Sequence, residues 1–95
     1  MAAYVYANLK VTDEAAFAEY RQAVPATIAA YGGRYLVRGG AFEVLEGEAR
    51  PERLVILEFP DMATLRAWYR SDAYRPLLAL RKRATDSQIV AIDGL

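Results

Sequence analysis

The chain has 95 residues, with 12 Lys and Arg against 12 Asp and Glu, and it contains neither cysteine nor histidine. That length fits one domain with one core, and a lone monomer of this size buries only roughly 60 to 65 % of the surface its unfolded chain exposes. Zero net charge removes the broad electrostatic pull toward nucleic acid or anionic lipid, and the missing residues exclude disulfides, thiolate nucleophiles, Cys- or His-ligated metal centres, a His-held haem and the usual neutral-pH general base.

Tyr4, Tyr6 and Asn8 alternate with Val5, Ala7 and Leu9, the period of two that predicts a first strand. Thr12 offers a hydroxyl N-cap to the helix that follows, with Asp13 and Glu14 in its first turn, where the helix dipole favours negative charge. Phe17, Tyr20, Val24, Ile28 and Tyr31 recur at helical spacing and form one apolar stripe. Pro25 lies inside that helix and lacks a backbone donor, so a kink is expected between Arg21 and Pro25. Gly32 and Gly33 supply a left-handed end.

From Arg34 to Glu46 the chain reads extended, with Gly39 and Gly40 allowing a bulge or bend within a long second strand. The segment Gly47 to Glu52 closes a hairpin onto a third strand, Arg53 to Phe59, which Pro60 stops. Asp61 caps a second helix carrying Leu65, Trp68 and Tyr69; Ser71 and Asp72 begin a turn, and Pro76 opens a short helix holding Leu77, Leu78, Leu80 and Arg81. Gln88 to Ile92 is the last strand. No repeat, linker or low-complexity stretch interrupts this order, so residues 1–95 read as a single α+β domain of pattern βαββαβ. The start of the chain has no basic region before a long apolar run, and no stretch of roughly 18 apolar residues occurs, so a cytoplasmic protein with no membrane partner is expected.

Crossovers within one sheet are right-handed, which sends both helical connections to one face of the four-stranded antiparallel sheet. The other face stays bare. A wet face calls for alternation, yet Leu54 to Leu57 and Ile89 to Ile92 are apolar in both phases. Burying such side chains stabilises by about 1.5 to 3 kcal/mol each, so the expected partner is a second copy, packed sheet to sheet as a homodimer.

GGRYLVRGG (Gly32 to Gly40), LEG (Leu45 to Gly47), ILEFP (Ile56 to Pro60), and the spacing of Trp68, Tyr69, Ser71 and Tyr74 followed by Arg81 resemble the DUF1330 family over nearly the whole chain. The resemblance implies a ferredoxin-like fold assembled as a dimeric α+β barrel. It implies no activity, since the family is defined by an unknown function. Other families on that fold include cofactor-independent monooxygenases, lactone isomerases and haem-degrading enzymes, an analogy of fold alone.

Charge is unevenly spread. Arg66, Arg70, Arg75, Arg81, Lys82 and Arg83 share a segment whose one acid is Asp72, while Glu43, Glu46, Glu48, Glu52 and Glu58 dominate the segment before it. These read as a solvated helix face and a solvated hairpin that attract each other, or as an anion-binding patch. Arg38, just before the two glycines, either holds a carboxylate or enolate oxygen by a forked pair of hydrogen bonds or pairs structurally with Glu58. Glu58 lies in an apolar strand, where desolvation would raise its pKa unless it is paired, making it a candidate proton carrier. Arg81 follows Leu77 by one turn and either points inward or meets helix carbonyls and solvent.

Trp68, Tyr69 and Tyr74, with Tyr4, Tyr6 and Tyr35, would wall a cavity for a flat organic molecule or simply fill a core. Ser71 would anchor a ligand oxygen or cap the turn before Tyr74; it has no histidine partner, so a serine hydrolase is not supported. Two function classes follow. One is a small enzyme working by proton transfer or cofactor-free chemistry, isomerase- or monooxygenase-like, with Glu58 as acid or base, Arg38 and Arg81 as oxyanion partners, and no cofactor. The other is a noncatalytic homodimer that binds a small ligand or is structural. Nucleic-acid binding would need exposed aromatics amid a basic surface, and neutrality argues against it.

Overall fold

In the computed structural model, which describes residues 1–95, the elements run β1 (Ala3–Val11), α1 (Glu14–Ala30), β2 (Arg34–Arg38), β3 (Arg53–Phe59), α2 (Met62–Tyr69), α3 (Arg75–Ala84) and β4 (Thr85–Asp93). The strands form one sheet in the order β2-β3-β1-β4, every neighbour antiparallel, the ferredoxin-like βαββαβ arrangement. Alternation decides the faces. Ala3, Val5, Ala7 and Leu9 of β1 are buried in the core with Phe17, Val24 and Ile28 of α1 and Trp68 of α2, while Tyr4, Tyr6 and Asn8 point the other way. No helix is long and apolar enough to cross a membrane.

The helix α1 begins one residue later than expected. Thr12 and Asp13 both donate their backbone N–H to the Ala84 carbonyl, so Thr12 is still tied to the end of α3, and Asp13 caps α1 by accepting from the Ala16 N–H at 3.1 Å. The helix then runs unbroken through Pro25. Because Pro25 has no N–H, the Arg21 carbonyl lacks its helical donor, and Arg38 Nη2 donates to it instead at 3.1 Å. At the C-terminus Gly32 takes φ 72°. Gly33 is needed for a different reason: a Cβ there would come within 2.6 Å of the Phe59 ring and 2.8 Å of Ile28.

Two strand boundaries and the place of a bulge differ from expectation. The strand β2 ends at Arg38 rather than Glu46, because in its antiparallel register Arg38 already faces Val55, and residues beyond Gly40 would have only the connection itself to pair with. Gly39, at φ 67°, turns the chain away after one last bond from its N–H to the Leu54 carbonyl, and residues 40–52 form no regular element. The bulge lies earlier than the two glycines, between Tyr35 and Val37. The strand β4 starts at Thr85 rather than Gln88, since β1 is long enough to pair it from Val11 to Ala3.

The helices cover one face only. On the other, Tyr6 and Val37 are 37 % exposed, Val90 47 % and Ile92 49 %.

Candidate functional site

The bulge in β2 sets up the site. With Leu36 as the extra residue, Arg34 and Val37 lie on the bare face opposite Glu58 and Ile56, while Tyr35 and Arg38 turn toward the helices opposite Leu57 and Val55. Between the helix-covered face and helices α1 and α3 lies a cavity of about 60 Å³, walled mostly by apolar side chains such as Val24, Val55 and Ile89. Its closed end is built by Tyr20, Tyr74 and Arg81; its open side is bordered by Arg21, Arg38 and Arg53.

At the closed end, the Tyr20 and Tyr74 hydroxyls are 2.9 Å apart and hydrogen-bonded. Arg81 is 4 % exposed; its Nε donates to the Tyr74 hydroxyl at 3.3 Å and its Nη1 to the Ser87 hydroxyl. No carboxylate balances it, for the chain's ion pairs are Arg34–Glu58 and Arg75–Asp72. Helical phase puts Arg81 there: Leu80, Arg81 and Ala84 are the buried residues of α3, and Thr85 caps the helix by donating its hydroxyl to the Arg81 carbonyl at 2.7 Å. Tyr74 is held from behind. The Ser71 hydroxyl accepts from the Tyr74 N–H at 3.1 Å and donates to the Trp68 carbonyl at 2.7 Å. The Trp68 ring lies 4.3 Å from that of Tyr74, and its indole N–H donates to Thr27 at 3.1 Å.

Burial first, and then the neighbouring Tyr74, pushes the Tyr20 hydroxyl far above its ordinary pKa, so it remains a protonated donor. Burial works against the charge on Arg81, but its contacts with Tyr74 and Tyr20 outweigh that and its pKa is held above the usual value. At the open side, the Arg38 guanidinium lies 4.5 Å above the Tyr35 ring and that of Arg53 lies 5.1 Å above Phe17. Burial raises the Tyr35 hydroxyl, with Arg38 partly opposing it.

Of the residues singled out in the sequence, Arg38, Arg81, Tyr35, Trp68 and Tyr74 meet around this cavity. Ser71 is spent on the backbone behind it, as the cap reading had it. Glu58 and Tyr6 do not reach the cavity. Both lie on the bare face, because Tyr6 alternates with the buried Val5 and Ala7 and Glu58 with the buried Leu57 and Phe59. The partner of Glu58 is Arg34, at 2.7 Å, and not Arg38, since the bulge puts the two arginines on opposite faces. Sequence reasoning missed Tyr20, Ser87, Arg53 and Arg21 as site residues. Tyr20 was visible only as one more member of the apolar stripe, Arg53 is in phase with Val55 and Leu57, and Arg21 follows Phe17 by four. Ser87 is in phase with Ile89 but lies before the expected start of the last strand at Gln88.

The profile of DUF1330, a domain of unknown function, matches residues 2–95. No curated protein matches the chain. Among solved structures it is similar to the RPA0582 protein of unknown function from Rhodopseudomonas palustris, with 19 % identity and a TM-score of 0.82 over 99 % of this chain and 82 % of that one. A dimeric ferredoxin-like protein of unknown function from Jannaschia sp. CCS1 gives 14 % identity and a TM-score of 0.72, covering 99 % of this chain and 100 % of the other. SnoaB, a cofactor-independent oxygenase from Streptomyces nogalater, gives 14 % identity and a TM-score of 0.58, covering 99 % and 93 %. At these identities the likeness is one of fold.

Proposed function

The chain belongs to the DUF1330 family, and we propose that it is a small homodimeric enzyme acting on a small organic molecule, without a resident cofactor, in the cavity between the sheet and helices α1 and α3. One observation carries this reading: Tyr20, Tyr74 and Arg81 bring hydrogen-bond donors together at the closed end of an apolar cavity whose lining includes no carboxylate. Donors fixed in a water-poor site stabilise negative charge as it develops on a substrate oxygen. An enolate formed next to a carbonyl uses that stabilisation, whether it is reprotonated at another carbon or reacts with dioxygen. The likeness to SnoaB, described as a cofactor-independent oxygenase, supports the second course at the level of fold.

The pairing of two copies rests on the bare face, where Tyr6, Val37, Val90 and Ile92 are uncovered, and on the dimeric description of the similar Jannaschia protein. A second reading, a noncatalytic binder using the same cavity, is favoured by the absence of a ready base: Tyr20 stays protonated, and Glu58 is on the other face. Catalysis then requires a substrate acidified enough by Arg81 and Tyr74 to give its proton to water entering from the open side.

The two readings separate by isotope exchange and oxygen uptake. Enolisable carbonyl compounds that bind are expected to exchange the hydrogen next to the carbonyl, or to consume oxygen, faster than in buffer. Tyr74→Phe should slow that rate by about 100-fold, the size of effect seen when one oxyanion donor is removed. Ligands that bind without either signal would sink the enzyme reading and leave the binder.

A further inference from the structure

We infer that the molecule held in this cavity is an organic monocarboxylate, seated with its carboxylate against Arg81 and the Tyr20–Tyr74 pair and with its apolar body along the helix-covered face of the sheet. The inference rests on the proposed function in one respect, that the cavity is the ligand site, and adds the charge and orientation of the ligand.

The donors at the closed end outnumber the acceptors. A guanidinium carries five N–H donors, and side-chain acceptors take only two from Arg81, at Tyr74 and Ser87. The bond between Tyr20 and Tyr74 uses one of their two hydroxyl protons, and the other has no protein acceptor. Apart from the tyrosine hydroxyls, no side chain lining the cavity is an acceptor. A ligand that supplies acceptor oxygens completes the set; one that supplies donors does not.

Charge points the same way. Four arginines, Arg21, Arg38, Arg53 and Arg81, border the cavity, and no Asp or Glu does, in a chain whose net charge is zero. No carboxylate of the chain pairs with Arg81, and an anion placed beside it supplies the missing counter-ion. Arg38 and Arg53 lie over aromatic rings near the entrance, where their field draws an anion inward. Arg81 is the buried seat.

Shape selects among anions. The flat fork of a guanidinium matches a planar carboxylate with two parallel hydrogen bonds. The cavity is small, at about 60 Å³. That suits a small acid and excludes a nucleotide or a polymer end. Beyond Arg81 the inner walls are apolar, and the other arginines lie at the open side, so the buried part of the ligand carries one charged group.

Trp68, the chain's one tryptophan, lines the cavity beside Tyr74, so its fluorescence reports occupancy. The intact protein is titrated with two isosteric pairs, butyrate against butyramide and benzoate against benzamide. Each acid is expected to bind at least tenfold more tightly than its amide. That preference should vanish in Arg81→Met, survive in part in Arg81→Lys, and be unchanged in Arg70→Gln, which alters an exposed arginine outside the cavity. If Arg81→Met fails to fold, the acid–amide comparison in the unaltered protein decides alone. Amides that bind as well as the acids overturn the anion inference and leave the cavity as a ligand site. A preference for acids that persists in Arg81→Met overturns the seat at Arg81. If neither member of either pair binds, the inference and the ligand site fall together.

Discussion

Facing the helices, the sheet buries Ala3, Val5, Ala7 and Leu9 and closes over a cavity whose polar groups are donors without enough acceptors; facing away, the same strands leave Tyr6, Val37, Val90 and Ile92 between 37 % and 49 % exposed. Each face lacks something different. The covered face has its apolar surface satisfied and, at the closed end of its cavity, donor protons to spare, which is the mark of a site. The bare face pairs Arg34 with Glu58 and leaves its apolar groups uncovered, which is the mark of an interface. One β-bulge separates the two roles, since it sends Arg34 to one side and Arg38 to the other.

The strongest way to break this comparison is to put charge on the bare face. Val90→Asp combined with Ile92→Asp removes four apolar side chains from a two-fold interface and sets four carboxylates there. The expected loss is on the order of 4 kcal/mol of association free energy, about a thousandfold in Kd. Sedimentation velocity at micromolar concentration should show the unaltered protein as a dimer and the double variant as a monomer, with carboxylate binding retained. A monomeric unaltered protein, or a variant that still pairs, would remove the interface from this face.

How much of this was legible beforehand depended on whether a feature is local. The strand β3, the Asp61 cap, the glycine end of α1 and the stripe of Phe17, Tyr20, Val24 and Ile28 are local patterns, and each is where the sequence pointed. The partner of Glu58 was not legible, because it depends on the face Arg38 occupies, and one residue of register shift at Leu36 reverses that face. The early end of β2 was hidden for a similar reason: Ala41 to Glu46 has the composition of a strand but no backbone to pair with inside the chain. Tyr20 and Ser87 join the site only through α3, from 54 residues away for the bond from Tyr20 to Tyr74 and from the start of β4 for Ser87.

A smaller effect tests how the open side of the cavity is held. Pro25→Ala gives the Arg21 carbonyl its missing helical donor, which then competes with Arg38 Nη2. A proline inside a helix costs about 3 kcal/mol relative to alanine. Part of that is already offset by the Arg38 bond, so a gain of about 1 to 2 kcal/mol in urea unfolding is expected. Arg38 loosens in exchange, and carboxylate affinity should fall by about two- to threefold, a few tenths of a kcal/mol. A stabilised variant with unchanged affinity would mean that Arg38 takes no part in holding the ligand.

The smallest effect serves as the control for the other two. Asp61 caps α2 from an exposed position, its Oδ1 accepting from the Thr64 N–H at 2.7 Å. Hydrogen bonds from Thr64 hold the Asp61 carboxyl below the usual aspartate pKa. A carboxyl depressed in the folded state stabilises fully above its unfolded pKa, and that contribution is lost as pH falls through the folded value. Asp61→Ala should therefore lower Tm slightly and by a constant amount from neutral pH down to the ordinary aspartate range, with the gap narrowing below it. Melts followed by circular dichroism across that range check the sign. Because Asp61 touches neither the cavity nor the bare face, the variant should remain a dimer and keep its preference for acids over amides; if either property moved with this cap, the two faces could not be treated as separate devices.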